Sequence, residues 1–328
     1  MKTKQITGEE IYMKYFAAFV TAYLIVRLTI PYFRRLSIKI DFVDRPTERK
    51  IHKEPISLFG GVAMYTAFLF CYFLFIHAFN KTSIAILLGS FSILLIGMVD
   101  DWYKTRKKEF PVFPRLWIQL GAAALIYKSG IIFYGFTNPL THEYILLPTW
   151  LQFILTITWI FGVTTVINFS DGMDGLAGGI SAISASTLFI VALAKGQFDS
   201  AMLSILLVGV ALGFLKYNKY PAQIFMGDSG ANFLGFMLAV ISLDGAFKQA
   251  TFISISIPVL ALGVPIFDNI MVVFKRFLEG KPVYKADRSQ IHYRLLSSGL
   301  NQKQVVAFLY LISVCFSLTS IILLLLNV

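Results

Sequence analysis

Ten stretches of the chain are almost free of charge, and they decide what it can fold into. They cover about 12–33, 57–79, 82–100, 116–135, 146–167, 176–195, 200–215, 231–247, 250–273 and 304–326. A helix of roughly 20 apolar residues spans the hydrocarbon of a bilayer and satisfies its own backbone hydrogen bonds there. The runs are continuously apolar, as from Ile84 to Ile96, rather than alternating. That excludes a membrane β-barrel. Charged residues make up only 14% of the chain, against about a quarter in soluble domains. The reading is an all-α, polytopic membrane helical bundle of about ten (10–11) transmembrane helices, one integral-membrane domain over 1–328. No internal repeat is visible, which weakens a secondary-transporter reading. The first run lacks the short core and small-residue cleavage site of a signal peptide and reads as a retained span. Cys71 and Cys315 fall inside runs and read as buried packing residues; their spacing suits neither a metal nor a disulfide framework.

Charge sets the orientation. The chain has 29 Lys and Arg against 18 Asp and Glu, a net +11. With ten spans, the connections 34–56, 101–115, 168–175, 216–230 and 274–303 lie on one side, and they hold 21 of the 29 bases. Lys81 and Lys248 are the bases in the opposite connections. The positive-inside rule makes the basic side cytoplasmic and both termini external. This is the pattern of a multi-pass bacterial cell-membrane protein.

The acids gather on the same side. Asp100 and Asp101 end the third run, followed by Lys104, Arg106, Lys107, Lys108 and Arg115. Carboxylates for a divalent cation beside bases for phosphate are what phosphoryl transfer needs. A second cluster runs from Asn168 through Asp171 and Asp174 to Leu176, with glycines at 172, 175, 178 and 179. Glycine lets the backbone turn tightly and approach a ligand closely. The third is Phe225-Met226-Gly227-Asp228-Ser229-Gly230, a single acid where a span opens. As oxygen donors these suit Mg²⁺, which takes one or two carboxylates plus substrate phosphates. The four histidines do not make a zinc site, and there is no Walker A motif. Arg27 and Asp268 lie within runs and read as structural, paired inside the bundle or snorkelling.

These pieces resemble the polyprenyl-phosphate N-acetylhexosamine-1-phosphate transferases. That family includes the first enzymes of O-antigen, enterobacterial common antigen and wall teichoic acid synthesis. The lipid I-forming translocase is a distant relative. The match runs from about 41 to 310. It takes in Asp44-Arg45-Pro46 through His52, Gly60-Gly61, Asp100-Asp101 and Asn168 to Leu176. It continues through Tyr217-Asn218, Phe225 to Gly230, Asp287-Arg288 and Ile291-His292. The resemblance implies transfer of an N-acetylhexosamine-1-phosphate, most simply GlcNAc-1-phosphate, from a UDP-sugar to undecaprenyl phosphate, with release of UMP. It implies Mg²⁺, with Mn²⁺ as a substitute.

Roles carry over by position. Asp228 matches the metal-binding aspartate, and Asn168 an asparagine at the metal and diphosphate. Asp174 matches a uracil contact, with Asp171 beside it in the nucleotide pocket. Asp100 matches a proposed base, with Asp101 in support. Arg115, Lys50 and His52 match phosphate-side positions, and Asn218, Arg288 and Arg294 belong to the substrate-binding set. Asp100, Asp101, Asp228 and His292 form the expected catalytic group. A strong base is not required, because a phosphate monoester is already largely ionised at neutral pH. The last loop departs from the family pattern. Relatives commonly carry several histidines, whereas here Asp287-Arg288-Ser289-Gln290-Ile291-His292-Tyr293-Arg294 keeps one. The loop also lacks the triple histidine of the lipid I-forming enzyme, which argues against UDP-MurNAc-pentapeptide as donor. Lipid I synthesis and anion transport stand as the alternatives. The expected partners are a UDP-N-acetylhexosamine, undecaprenyl phosphate and the lipid bilayer. No nucleic acid is expected, and the apolar spans leave a homodimer open.

Overall fold

The computed structural model describes residues 8–46, 54–76, 79–138, 141, 143–246, 252–280 and 289–326. Each of the ten apolar runs contributes a helix. In order these are α1 (Gly8–Lys39), α2 (Gly60–Phe75), α3 (Lys81–Thr105), α4 (Val112–Ser129), α5 (Thr149–Ser170), α6 (Leu176–Ala194), α7 (Phe198–Asn218) and α8 (Gly227–Ala246). The ninth run breaks into α9 (Phe252–Ala261) and α10 (Gly263–Leu278), and a short α11 (Ile291–Ser297) precedes α12 (Gln302–Leu326). Two small antiparallel hairpins complete the set: β1 (Val43–Asp44) with β2 (Ile56–Ser57), and β3 (Gly135–Thr137) with β4 (Tyr144–Leu146).

The all-α polytopic reading holds, and length and composition alone pick out a smaller set of helices than the ten expected spans. Among the described residues six helices are long and apolar enough to cross a membrane: α1, α3, α5, α6, α7 and α12. The bent pair α9–α10 makes a seventh if it counts as one span. The other three apolar helices fall short for different reasons. α2 has 16 residues, about 24 Å at 1.5 Å per residue. α4 carries Arg115, Gln119 and Lys128, and Gly130, at φ 100°, ends it well before residue 135. α8 contains Asp228, Asn232 and Asp244, and it is the centre of the bundle. Every residue from Ala231 to Leu243 is buried, packed against α2, α3, α5, α6 and α7. A helix apolar on all sides is a buried one; here the burial is against protein.

The outer helices show the opposite pattern. α12 turns Leu311, Val314, Leu318 and Ile322 outward. Cys71 is buried as expected, whereas Cys315 is exposed on α12, where a lipid-facing apolar thiol carries no desolvation cost. In α1, Arg27 Nη1 lies 3.4 Å from the Tyr23 hydroxyl, a local pairing. α10 leaves α9 at 86° and is two-faced. Phe267, Ile270, Met271, Phe274, Phe277 and Leu278 are exposed at i, i+3, i+4, i+7 spacing, while Asn269, Val272 and Arg276 are buried.

Candidate active site

The described parts of all five charged connections meet at one end of the bundle. The hairpin β1–β2 docks on the segment leading into α8: Phe225 N–H donates to the Ser57 carbonyl at 2.8 Å, and the Gly60 and Gly61 N–H groups donate to Phe225 and Met226 carbonyls at 3.1 and 3.0 Å. The turn after α5 reaches the same segment, where Asp174 Oδ2 accepts the Ala222 N–H at 3.0 Å. Asn218, fully buried, bridges both pieces. Its Oδ1 accepts from Gly175 N–H at 3.0 Å and its Nδ2 donates to the Ile224 carbonyl at 2.9 Å. Asn218 was expected in the substrate set; both ends of its amide hold loops together.

The adjacent acids Asp100 and Asp101 take different work. Asp101 Oδ1 accepts the Asp228 N–H at 2.8 Å and its Oδ2 accepts the Ser229 N–H at 3.1 Å. The first N–H groups of a helix have no partner within it, and here α3 caps α8 from outside. Gly227 makes the approach fit: its φ is 66°, and a Cβ there would lie 2.4 Å from Asp101 Oδ2. Asp101 was expected beside the catalytic acid; its carboxylate holds the backbone at the start of α8, Asp228 included.

Asp100 faces charges. Arg115 Nη1 is 2.9 Å from Asp100 Oδ2 and 3.7 Å from Asp228 Oδ2. Lys104 Nζ is 2.7 Å from Asp228 Oδ1 and 3.5 Å from Asp100 Oδ2. Two acids and two bases from α3, α4 and α8 thus alternate in one network. The bases form its open side: the Lys104 and Arg115 side chains are 47% and 33% exposed, those of Asp100 and Asp228 4% and 17%. An anion arriving from solvent meets the cations first. Lys104 was missing from the expected site set. Its signal in the sequence is the i, i+4 spacing from Asp100, which places both on one face of α3.

Asp171 caps the C-terminal end of α5, one turn beyond half-buried Asn168. Burial pushes its carboxyl up to about 8, helped by the negative charges of Asp228 and Asp101. His292, in the first turn of α11, is buried against the same turn: a Cβ on Gly172 would sit 2.2 Å from its Nε2. Among the described residues that Nε2 has no hydrogen-bond partner, and burial lowers the imidazole to about 4, so it is neutral at pH 7. Arg294 is exposed, beside a cavity of about 200 Å³ lined by Asp268, Met271 and Phe316. Lys50, His52 and Arg288 lie outside the described residues.

No three His, Cys, Asp or Glu side chains among the described residues are grouped to hold a metal alone. The donors present fit Mg²⁺ in its usual manner. They are oxygen atoms, and the neighbouring negative charges that add to burial in raising Asp171 are what a divalent cation would relieve. Mg²⁺ commonly takes few protein ligands and completes its shell with water and substrate phosphate.

The comparisons agree with this geometry. The family model described as "Glycosyl transferase family 4" matches residues 83–246, the stretch that carries Asp100, Lys104, Arg115, Asp171 and Asp228. The chain is 38% identical over 307 residues to the "Probable undecaprenyl-phosphate N-acetylglucosaminyl 1-phosphate transferase" of Bacillus subtilis, covering 93% of this chain and 84% of that protein. It is 29% identical to the "Decaprenyl-phosphate N-acetylglucosaminephosphotransferase" of Mycobacterium leprae, over 84% and 75% of the two chains. It is 28% identical to the "Phospho-N-acetylmuramoyl-pentapeptide-transferase" of Bacillus anthracis, over 85% and 87%. With this match, and with the alternating acids and bases at one end of a membrane bundle, the chain belongs to glycosyl transferase family 4, the polyprenyl-phosphate sugar-1-phosphate transferases.

Proposed function

We propose that the protein transfers GlcNAc-1-phosphate from UDP-GlcNAc to undecaprenyl phosphate at the cytoplasmic face of the cell membrane, starting a cell-envelope polysaccharide. The observation that carries this reading is the network of Asp100, Lys104, Arg115 and Asp228 at the end of an apolar bundle. One substrate lies in lipid and the other is a soluble dianion, so the reaction must occur where bundle, cations and water meet. An oxygen of the lipid phosphate attacks the β-phosphorus of the nucleotide sugar. The bond from that phosphorus to the bridging oxygen breaks, and UMP leaves with the oxygen.

Lys104 and Arg115 attract and orient the phosphates, being the exposed members of the network. Asp100 organises both cations and need not take a proton. Asp228, with Asn168, would hold Mg²⁺, which supplies charge neutralisation of the diphosphate when bound. Asp171 and Asp174 line the nucleotide side. The loop lacks the triple histidine that the resemblance gives the lipid I-forming enzyme, which favours a plain N-acetylhexosamine over UDP-MurNAc-pentapeptide. An anion transporter would need charges along a path through the bundle, and this network sits at one end.

The test is UMP release by purified protein with undecaprenyl phosphate, Mg²⁺ and each of UDP-GlcNAc and UDP-MurNAc-pentapeptide. Turnover with UDP-GlcNAc is expected. Turnover with the pentapeptide donor alone moves the protein to lipid I synthesis, and none with any UDP-sugar sinks the reading.

A further inference from the structure

Asp268 stands outside the charged connections, on the two-faced helix α10, and the chemistry above does not use it. Its Oδ1 accepts the backbone N–H of Ile291 at 2.8 Å. Ile291 opens α11, where helix N–H groups lack partners of their own. A carboxylate on one helix thus holds the first turn of another by a charge-assisted bond. The next residue is His292, 1% exposed, whose ring occupies the space a side chain at Gly172 would need. The same elements share an apolar cluster: Val264 of α10 and Met173 of the turn, with Ile291 and Leu295 of α11 packed against them. Met173 lies between Asp171 and Asp174.

We infer that Asp268 is a positioning residue for the nucleotide side of the site. It ties α10 to the start of α11, and α11 seats His292 on Gly172, which sets the turn bearing Asp171 and Asp174. Its effect on catalysis rests on the proposed function; the structural tie does not. The orphaned Nε2 of His292 is relevant here. Among the described residues no hydrogen bond from that atom joins α11 to the turn, whereas packing and the Asp268 bond do hold α11 in place.

The experiment is hydrogen–deuterium exchange on the full chain in lipid nanodiscs, with turnover measured in parallel. Asp268→Ala is expected to speed exchange roughly tenfold at 291–295 and to pass a speed-up of about threefold or more to 171–175, leaving 198–204 at the far end unchanged. Asp268→Asn keeps an accepting oxygen but loses the charge, and should change exchange in both segments less than half as much as the alanine variant. Ile291→Pro removes the donor instead. Proline suits a first helical position, and Gln290 already has φ −62° and ψ 152°, which proline tolerates in its predecessor. It should reproduce the alanine variant. In turnover, Asp268→Ala should raise KM for the UDP-sugar about tenfold, with the asparagine variant recovering part of it. Unchanged exchange at 171–175 in both Asp268→Ala and Ile291→Pro overturns the inference. An inactive wild type would overturn the proposed function, and the exchange result would still decide the role of Asp268.

Discussion

Two neighbouring aspartates offer a direct test of how this site is built. Asp101 is 1% exposed and accepts the N–H groups of Asp228 and Ser229 at 2.8 and 3.1 Å. Asp101→Ala leaves both donors without a partner at a buried helix start. An orphaned buried donor costs about 1–3 kcal/mol, and loss of an ordinary N-cap about 1 kcal/mol. Together the two bonds put the loss at roughly 2–5 kcal/mol. At about 2–4 °C per kcal/mol, the apparent melting point should fall by about 4–20 °C. Because unfolding of membrane proteins is seldom reversible, the comparison needs one heating rate and one detergent, followed by intrinsic fluorescence. Asp100→Asn is the control. Its carboxylate touches Arg115 and Lys104 rather than backbone, so its melting point should move less than half as far while UMP release falls at least about 100-fold. If the two variants lose equal stability, or if Asp101→Ala melts within 2 °C of wild type, Asp101 does not cap α8 and the division of labour fails.

Lys104→Met removes the cation 2.7 Å from Asp228 and should lower turnover about 100-fold or more, with Lys104→Arg restoring part of it; activity within threefold of wild type would exclude Lys104 from the chemistry. His292 gives a pH signature. Its imidazole is held near 4 when folded, against about 6.5 unfolded. Between those values the unfolded chain binds more protons, so stability falls as pH drops from 6.5 toward 4, by about 3 kcal/mol at most. His292→Gln should flatten this part of the wild-type melting curve between pH 7 and 5, and parallel curves would show that the histidine is not buried neutral. Millimolar Mg²⁺ should raise the melting point of wild type by binding the native state. Asp228→Ala should lose that rise, and an equal rise in both places the ion elsewhere.

The helices were legible because they are local. Twenty apolar residues in a row leave the backbone little choice, and all ten runs became helical. The charged end of the bundle was legible too, since 21 of 29 bases fall in alternate connections, and Asp100, Arg115 and Asp228 form one ion-pair network there. Hydropathy could not say which apolar helix sits inside. Lipid tails and protein interior are equally apolar, so α8 at the centre and α12 at the rim read alike, as did buried Cys71 and exposed Cys315. Nor could it see the 86° break that turns α10 away from α9.

Side-chain roles divide along the same line. The sequence by itself determined an all-α membrane bundle, the family and the residue types at its charged end. Each of these depends on order along the chain. Only the tertiary structure decided that Asp101 caps α8 while Asp100 gathers cations. Residues next to each other on a helix point about 100° apart, and what each meets depends on helices far away in sequence. The same reason placed Lys104 on Asp228 and Asn218 between two loops. It also set Asp268 under the first turn of α11, a contact 23 residues apart along the chain.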